Sequence, residues 1–371
     1  LYPASSVREL DRIAIEERNI PGIDLMHRAG QAVFDTLIAR WPDARQVLVV
    51  CGAGNNAGDG YVIARLAHEF KFNVSVVSLT SADKLKNDAL TAANQYLKSD
   101  LEITDSIDSL DINNMDVIVD AIFGTGLDRD VTGDYLHQIN QINHSRVPVI
   151  SVDIPSGLNA DTGAVMGNAV KADCTVTFIG QKQGLYTGEA AEYCGTRIFV
   201  GLNVPADIYQ DVPINAVLVD LSQYETLLQP RNRTGHKGHF GHVMVTGGDY
   251  GYAGAVRMCG EAAARTGSGL VSIATRPEHA YAMTVSRPEL MASVITSSAD
   301  LMPLLSSATV IAVGPGLGQS QWSIDLLGKV FESKLPLVVD ADALNLLAKD
   351  PLTRQNWILT PHPGEAARLL G

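Results

Sequence analysis

The sequence predicts an α/β protein of two domains, each a parallel sheet with helices on both faces, in three αβα layers. Three observations carry that expectation. The chain has 371 residues, more than one hydrophobic core usually serves. Short apolar runs alternate with helical patterns along both halves, as a parallel sheet buried on both faces requires. The composition, 46% hydrophobic and 19% charged with 33 glycines, fits a globular enzyme and shows no general disorder.

In the first half, VRELDRIAIEE and LMHRAGQAVFDTLIARW read as amphipathic helices on either side of the turn NIPG. QVLVV is the first buried strand and CGAGNNAGDG a glycine loop, followed by the helix YVIARLAHEF. The strand NVSVVSL and the polar helix KLKNDALTAANQYLKS come next. DVIVDAIFGTG reads as strand and loop, YLHQINQINH as helix, VPVISVDIPSG as strand and loop, and CTVTFIG as strand; IFVGLNVP and AVLVDL close the region. QYETLLQPRNRTGHKGHFG is polar and turn-rich, which places a boundary near 223–235 and gives domains of 1–222 and 223–371.

The second half repeats the alternation. HVMVTGG, LVSIAT, ATVIAV, LPLVVDAD and WILT are strands; YAGAVRMCGEAAARTG, the stretch around EHAYAM and WSIDLLGKVFES are helices, and PHPGEAARLLG is loop and helix start. GPGLG (Gly314, Gly316, Gly318) forms a glycine wall, and Asp340 and Asp342 end a strand where they could meet a ligand or cation. His236, His239 and His242 match no zinc pattern and read as basic loop residues. His362, between Pro361 and Pro363 with Glu365 at the next helix start, reads as functional.

Ligands of such sheets bind beyond the carboxyl ends of the strands. The loops GAGNNAGDG, DAIFGTGLDRD and DIPSGLNADTG lie there. Asp59 and Gly60 are expected just before a helix whose free N–H groups would hold a phosphate. Asn55 and Asn56 add amides, Ser156 a hydroxyl, and Gly124, Thr125 and Gly126 a flexible loop. Asp120 and Asp153 each end an apolar run, so both carboxylates are expected to point into the crevice. Together these oxygens suit a hard cation. Gly52, Gly54 and Ala57 satisfy a loose dinucleotide spacing, but that reading needs an acid ending the second strand. Leu79, Thr80 and Ser81 stand there, with Asp83 late, which disfavours an NAD-dependent dehydrogenase.

A net charge of −13 disfavours nucleic acid, and no apolar run reaches the length of a membrane span. The first residues do not read as a signal peptide. Cys51, Cys174, Cys194 and Cys259 are widely spaced and form no metal pattern, so reduced thiols in a cytoplasmic protein are expected.

GNNAGDG, DAIFGTG and DIPSGLNADTG resemble the epimerase domain of the NAD(P)HX repair proteins, the YjeF or Nnr family. KGHFGHVMVTGG, GYAGA, GPGLG, VVDADALN and TPHPGEAARLLG resemble the ADP/ATP-dependent NAD(P)HX dehydratase domain. The resemblance covers nearly the whole chain. It implies a Rossmann-like first domain and a ribokinase-like second one, incomplete in this chain. It implies epimerisation of R- and S-NADHX and NADPHX, which carry an added water at C6 of the nicotinamide ring, and dehydration of the S form. By the same resemblance Asn55, Asn56, Ala57, Gly58 and Asp59, then Gly124, Thr125, Gly126, Leu127, Asp128, Arg129 and Asp130, and Asp153 bind substrate. Asn56, Asp120 and Ser156 hold a potassium ion, and Ala255, Gly318 and His362 contact the hydrated substrate in the second domain. ADP or ATP, with magnesium, serves the dehydratase.

Epimerisation at such a carbon proceeds by ring opening or by loss and return of the hydroxyl, and either needs a carboxylate that moves a proton. Asp120 and Asp153 both qualify; if Asp120 binds potassium, Asp153 becomes the better carrier. The family continues past TPHPGEAARLLG with nucleotide-binding segments and a catalytic aspartate. The chain stops at Gly371, so it is expected to be a shortened version that keeps the epimerase and lacks the dehydratase. A ribokinase-like kinase and an inactive nucleotide-binding scaffold are the rival readings, and homo-oligomerisation stays open.

Overall fold

A computed structural model describes residues 1–81, 84–98, 102–227 and 229–371. Asp83 lies outside the described residues. The chain divides into two compact units, Leu1–Gln223 and Tyr224–Gly371.

In the first unit α1 (Ala4–Arg12) runs into a π-helical turn, Ile13–Glu17, and α2 (Gly22–Arg40) follows. Then come β1 (Gln46–Cys51), α3 (Asn55–Glu69), β2 (Asn73–Ser78), α4 (Asn87–Leu97) and β3 (Ile103–Thr104). β4 (Val117–Ala121), α5 (Gly133–His144), β5 (Val149–Val152) and β6 (Cys174–Phe178) lead to the short α6 (Ala190–Tyr193), β7 (Thr196–Val200) and α7 (Ile208–Asp211). The strands form one seven-stranded sheet in the order β3-β2-β1-β4-β5-β6-β7, and each neighbouring pair is parallel. Alternation within β1 shows why both faces are covered. Val47, Val49 and Cys51 pack into one core with Phe34 of α2 and Ile63 of α3, whereas Leu48 and Val50 pack with Ile139 and Ile142 of α5.

The second unit holds β8 (His242–Thr246), α8 (Ala253–Arg265), β9 (Leu270–Thr275), α9 (Pro277–Ser286), β10 (Met291–Val294), α10 (Met302–Ser307) and β11 (Val310–Val313). It continues with α11 (Gln321–Glu332), β12 (Leu337–Val339), α12 (Ala341–Lys349), β13 (Trp357–Leu359) and α13 (Pro363–Leu370). Its six-stranded sheet has the order β10-β9-β8-β11-β12-β13, again parallel throughout. Met244, Ile311 and Val313 pack against α11 and α12 on one face; Val245 and Ala312 pack with Val256 of α8 on the other.

Strand order reverses direction at β1/β4 in the first sheet and at β8/β11 in the second. A crevice opens at such a switch point because the two flanking loops leave in opposite directions.

Four expectations need correcting. The stretch NNAGDG is helix, not loop: α3 starts at Asn55 with Gly54 as its N-cap, so Asp59 lies in the second turn and does not precede the helix. Its glycines serve packing, since a Cβ on Gly58 would strike Met26 and one on Gly60 would strike Ala121 and Cys51. AVLVDL adds no strand, and its Val217 and Val219 are exposed. His242 is a buried strand residue with Nε2 2.7 Å from Ser272 Oγ, not a loop residue. Asp342 belongs to the first turn of α12, where its carboxylate accepts from the Gly318 N–H at 2.9 Å.

Candidate active site

Beyond the carboxyl ends of β1 and β4 lies a cavity of about 830 Å³. Asn55, Asn56 and Asp59 of α3 line one side, Gly124 through Asp130 another, and Asp153 the floor near β5. Ala57 and Gly58 are buried and face away from it. The start of α3 leaves the Asn55 and Asn56 N–H groups without partners inside the helix, since Ala57 and Gly58 already bond to the Gly54 carbonyl. The free helix N–H groups expected after Asp59 and Gly60 are thus those of Asn55 and Asn56.

Asp120 and Ser156 do not line the cavity. Both are fully buried. The Asp120 carboxylate accepts from Ser151 Oγ at 2.7 Å, the Ser156 N–H at 2.8 Å, Ser156 Oγ, and the Ile122 N–H at 3.3 Å. Those four donors occupy its lone pairs, so it does not point into the crevice as expected. Burial pushes its carboxyl above the usual range, and the Ser156 and Ser151 bonds pull it partly back. The Phe123 N–H donates to Ser156 Oγ at 2.8 Å, which ties the loop after β4 to the loop after β5. Asn56 is 7% exposed and its Nδ2 has no partner.

Asp153 is different. Its φ of 68° is in the left-handed region, and its N–H is held by the Val176 carbonyl at 2.7 Å. Its carboxylate lines the cavity and pairs with the ammonium of Lys182. Asp11 of α1 lines the same space. Burial raises its carboxyl to about 6, with Lys182 opposing and Asp153 reinforcing. Asp59 is pushed well above the ordinary value by burial, then by Asp153 and Asp11, against Lys182.

This acidity sets a pH dependence. A carboxyl whose folded value exceeds its unfolded one favours the fold while protonated, and that contribution is lost as pH rises through the folded value. Asp11 therefore stabilises the first unit fully below 3.8 and ceases to do so above about 6. Asp11→Asn is expected to melt higher than the parent at neutral pH, with the gap closing as the pH falls through that window. Thermal melts of both proteins across the window check this.

In the second unit the loops at the β8/β11 switch point meet. The Gly314 amide bonds to the Thr246 carbonyl, and a Cβ on Gly314, at φ 122°, would strike the Asp340 carbonyl oxygen. Asp249 accepts from Arg276 Nε at 2.8 Å and Ser320 Oγ at 2.7 Å, and these bonds with Arg276 hold its carboxyl below the usual range despite burial. Arg276 lies over the rings of Tyr250 and Trp322, at 4.5 and 4.1 Å. Ala255 and Gly318 are brought to this loop: Ala255 borders Gly316, and Gly318 lies against Asp249. His362 caps α13, with Nδ1 accepting from the Gly364 N–H and Glu365 closing a capping box. Thr360 beside it donates to Asp340 Oδ1 at 2.9 Å.

Residues 22–184 match the family described as YjeF-related protein N-terminus, and residues 243–371 match NAD(P)H-hydrate dehydratase. Over 371 residues, all of this chain, it is 49% identical to the bifunctional NAD(P)H-hydrate repair enzyme Nnr of Coxiella burnetii, covering 76% of that protein. The chain belongs to the bifunctional NAD(P)H-hydrate repair enzyme family. The Nnr enzyme of Escherichia coli is 42% identical over all of this chain and 72% of its own length. The crystal structure of yeast ynu0 shares the fold at 20% identity, with a TM-score of 0.50 over 58% of this chain and 93% of that one.

For a family member, the charged floor of the first cavity was only partly legible. Lys182 and Asp11 were missed. Lys182 lies four residues beyond β6, in GQKQG, and its place at the carboxyl end of a sheet was the available signal. Asp11 sits on a helix face that reads as ordinary polar surface. Among the described residues no helix is long and apolar enough to cross a membrane, and no cluster of His, Cys, Asp and Glu could hold a metal ion. The four cysteines are free thiols.

Proposed function

We propose that the chain repairs hydrated nicotinamide cofactors in two units. The first interconverts the R and S epimers of NADHX and NADPHX; the second belongs to the dehydratase half, which in this family acts on the S epimer with ADP or ATP and magnesium. The observation that carries the first half is the cavity at β1/β4, with free helix N–H groups at one end and the Asp153–Lys182 pair at the other. Its volume, about 830 Å³, suits a dinucleotide portion with its ring at the acidic floor. The start of α3 then takes a phosphate of the substrate, through the Asn55 and Asn56 N–H groups. The loop from Gly124 to Asp130 lines the remainder.

Asp153 carries the proton, because Asp120 has all its lone pairs engaged and stands behind the wall. Asn56, Asp120 and Ser156 form the potassium site, in which the Ser151 and Ser156 hydroxyls turn their protons off Asp120 and free carboxylate lone pairs for the ion. Their donor set is all hard oxygen, as this ion prefers. The unpartnered Asn56 amide is the group left for a ligand to satisfy, by its oxygen after a turn of the amide. The ion would link the loops after β1, β4 and β5 and hold the cavity wall in place. In the second unit Ala255, Gly318 and His362 meet the hydrated substrate.

Two measurements test this. Pure R-NADHX is incubated with the protein and conversion to the S epimer is followed by chromatography. Conversion is expected, and none, with Asp153→Ala behaving like the parent, would sink the epimerase reading. Exchange of potassium for a bulky organic cation such as choline is expected to slow conversion several-fold or more, with recovery on adding potassium back. A rate indifferent to that exchange removes the potassium site.

A further inference from the structure

Lys182 has a place no sequence pattern announced. Its side chain is 1% exposed, yet it borders the cavity. The ammonium donates to Asp153 Oδ1, to Thr177 Oγ1 at 3.0 Å and to the Phe178 carbonyl at 3.2 Å. All three of its protons are thus engaged. Its backbone is clamped as well: the Tyr2 N–H bonds to the Gln181 carbonyl, and the Gln183 N–H to the Tyr2 carbonyl, both at 2.9 Å. A lysine so enclosed cannot follow its partner if that partner moves. Asp153 is equally fixed, by its left-handed backbone and its bond to Val176.

We propose that Lys182 is a positioning residue of the epimerase reaction: it fixes the Asp153 carboxylate toward the cavity and divides the acidic floor into one proton acceptor, Asp153, and two proton donors, Asp11 and Asp59. The inference rests on the epimerase reading and deepens it. Three carboxyl groups on one floor cannot all carry charge beside a single ammonium, because like charges in a poorly solvated site repel. Only Asp153 touches the ammonium, so the negative charge belongs there. Asp11 and Asp59 feel the same lysine at longer range, and burial leaves them protonated more readily than ordinary aspartates. Arg8 and Asp88, and Asp128, Arg129 and Asp130, are the other charged groups on the cavity wall.

The division fits the chemistry. In the ring-opening route the C6 hydroxyl gives its proton to Asp153 as the C=O bond forms. The C6–N1 bond breaks, its electron pair goes to N1, and N1 takes a proton from Asp59 or Asp11. Closure on the opposite face reverses each transfer and restores every proton. Loss and return of the hydroxyl uses the same two partners in the opposite order. Either way a donor and an acceptor must coexist at one pH, and without Lys182 three similar carboxyl groups would compete for the same protons.

Lys182→Met in the full chain tests this. Its kcat for R-to-S conversion is expected to fall about 100-fold, as for a reacting group left out of place, with KM nearly unchanged. Lys182→Ala is expected to recover part of that loss with added ethylamine and none with propanol, since the charge is what is missing. With the aspartate carboxyl carbons labelled for NMR, the resonance titrating near 6, identified by its loss in Asp11→Asn, is expected to move up in Lys182→Met. If the lysine variants fail to fold, the same resonance is followed in Asp153→Asn, where it should move down as a neighbouring negative charge is removed. A parent that does not convert R-NADHX overturns the epimerase reading itself. A parent that converts it, with Lys182→Met equally fast or with the Asp11 resonance unmoved in the variants, overturns the role of Lys182 alone.

Discussion

Asp153→Asn is expected to slow epimer interconversion by about 10²–10⁴-fold, the span usual for loss of a positioned acid or base. Two features make this the most sensitive position in the first unit. Among the described residues no other carboxylate on the cavity is paired with the buried ammonium, and the left-handed backbone aims it there. Asparagine keeps the shape and can still accept from Lys182, but it cannot take a proton at neutral pH. It also leaves a buried ammonium facing a neutral group, so the variant is expected to melt lower than the parent. Rates should therefore be compared well below both melting temperatures. Asp120→Asn gives the contrast. It disturbs the Ser151 and Ser156 bonds and the proposed potassium ligands, so its defect is expected to depend on potassium concentration. The Asp153→Asn defect is not. If the two variants respond alike to potassium, the separation of proton carrier from ion site is wrong.

The pattern of the sheets was readable because both faces are covered. β1 and β4 are near-continuous apolar runs, and such runs between helical patterns suit a doubly covered parallel sheet and little else. Strand ends then located the loops, and Asp153, Asn56 and the 124–130 loop do line one cavity. What failed was local. NNAGDG looked like a loop because glycine is a poor helix former, yet here helix packing decides: α3 lies so close to Met26, Cys51 and Ala121 that only glycine fits at Gly58 and Gly60. Asp120 looked like a crevice residue because it ends a strand, but side chains alternate along β4, and this one meets two serines of neighbouring segments. Neither serine is near it in sequence. Lys182 and Asp11 stayed hidden for the same reason: a lysine and an aspartate 171 residues apart, as 182 and 11 are, mean nothing until the fold puts them on one floor.

Gly52→Ala is expected to destabilise the first unit by about 1–3 kcal/mol and to cost epimerase activity as well. Gly52 follows β1, and its N–H bonds to the Ala121 carbonyl at 3.2 Å. A Cβ there would run into the carbonyl oxygen of Ile122, which is main chain and has no rotamer to escape into. The loop after β4 must then retreat from the loop after β1. Phe123 and Gly124 follow Ile122 directly; the first bonds Ser156 and the second lies against Asn56. Retreat would open the cavity wall beside Asn56 and pull on the Phe123–Ser156 bond in front of Asp120. The sign is what discriminates. Gly52 does not use a positive φ, so if space were available the alanine would stabilise the protein by about 0.4–1 kcal/mol through the unfolded chain. Gly126, with nothing near its absent Cβ, supplies the comparison, and Gly126→Ala is expected to be neutral or slightly stabilising. Denaturant melts of the two variants, read beside the potassium dependence of R-NADHX conversion, give the answer. If Gly52→Ala is as stable as Gly126→Ala, the two switch-point loops are not in the contact that shapes this cavity.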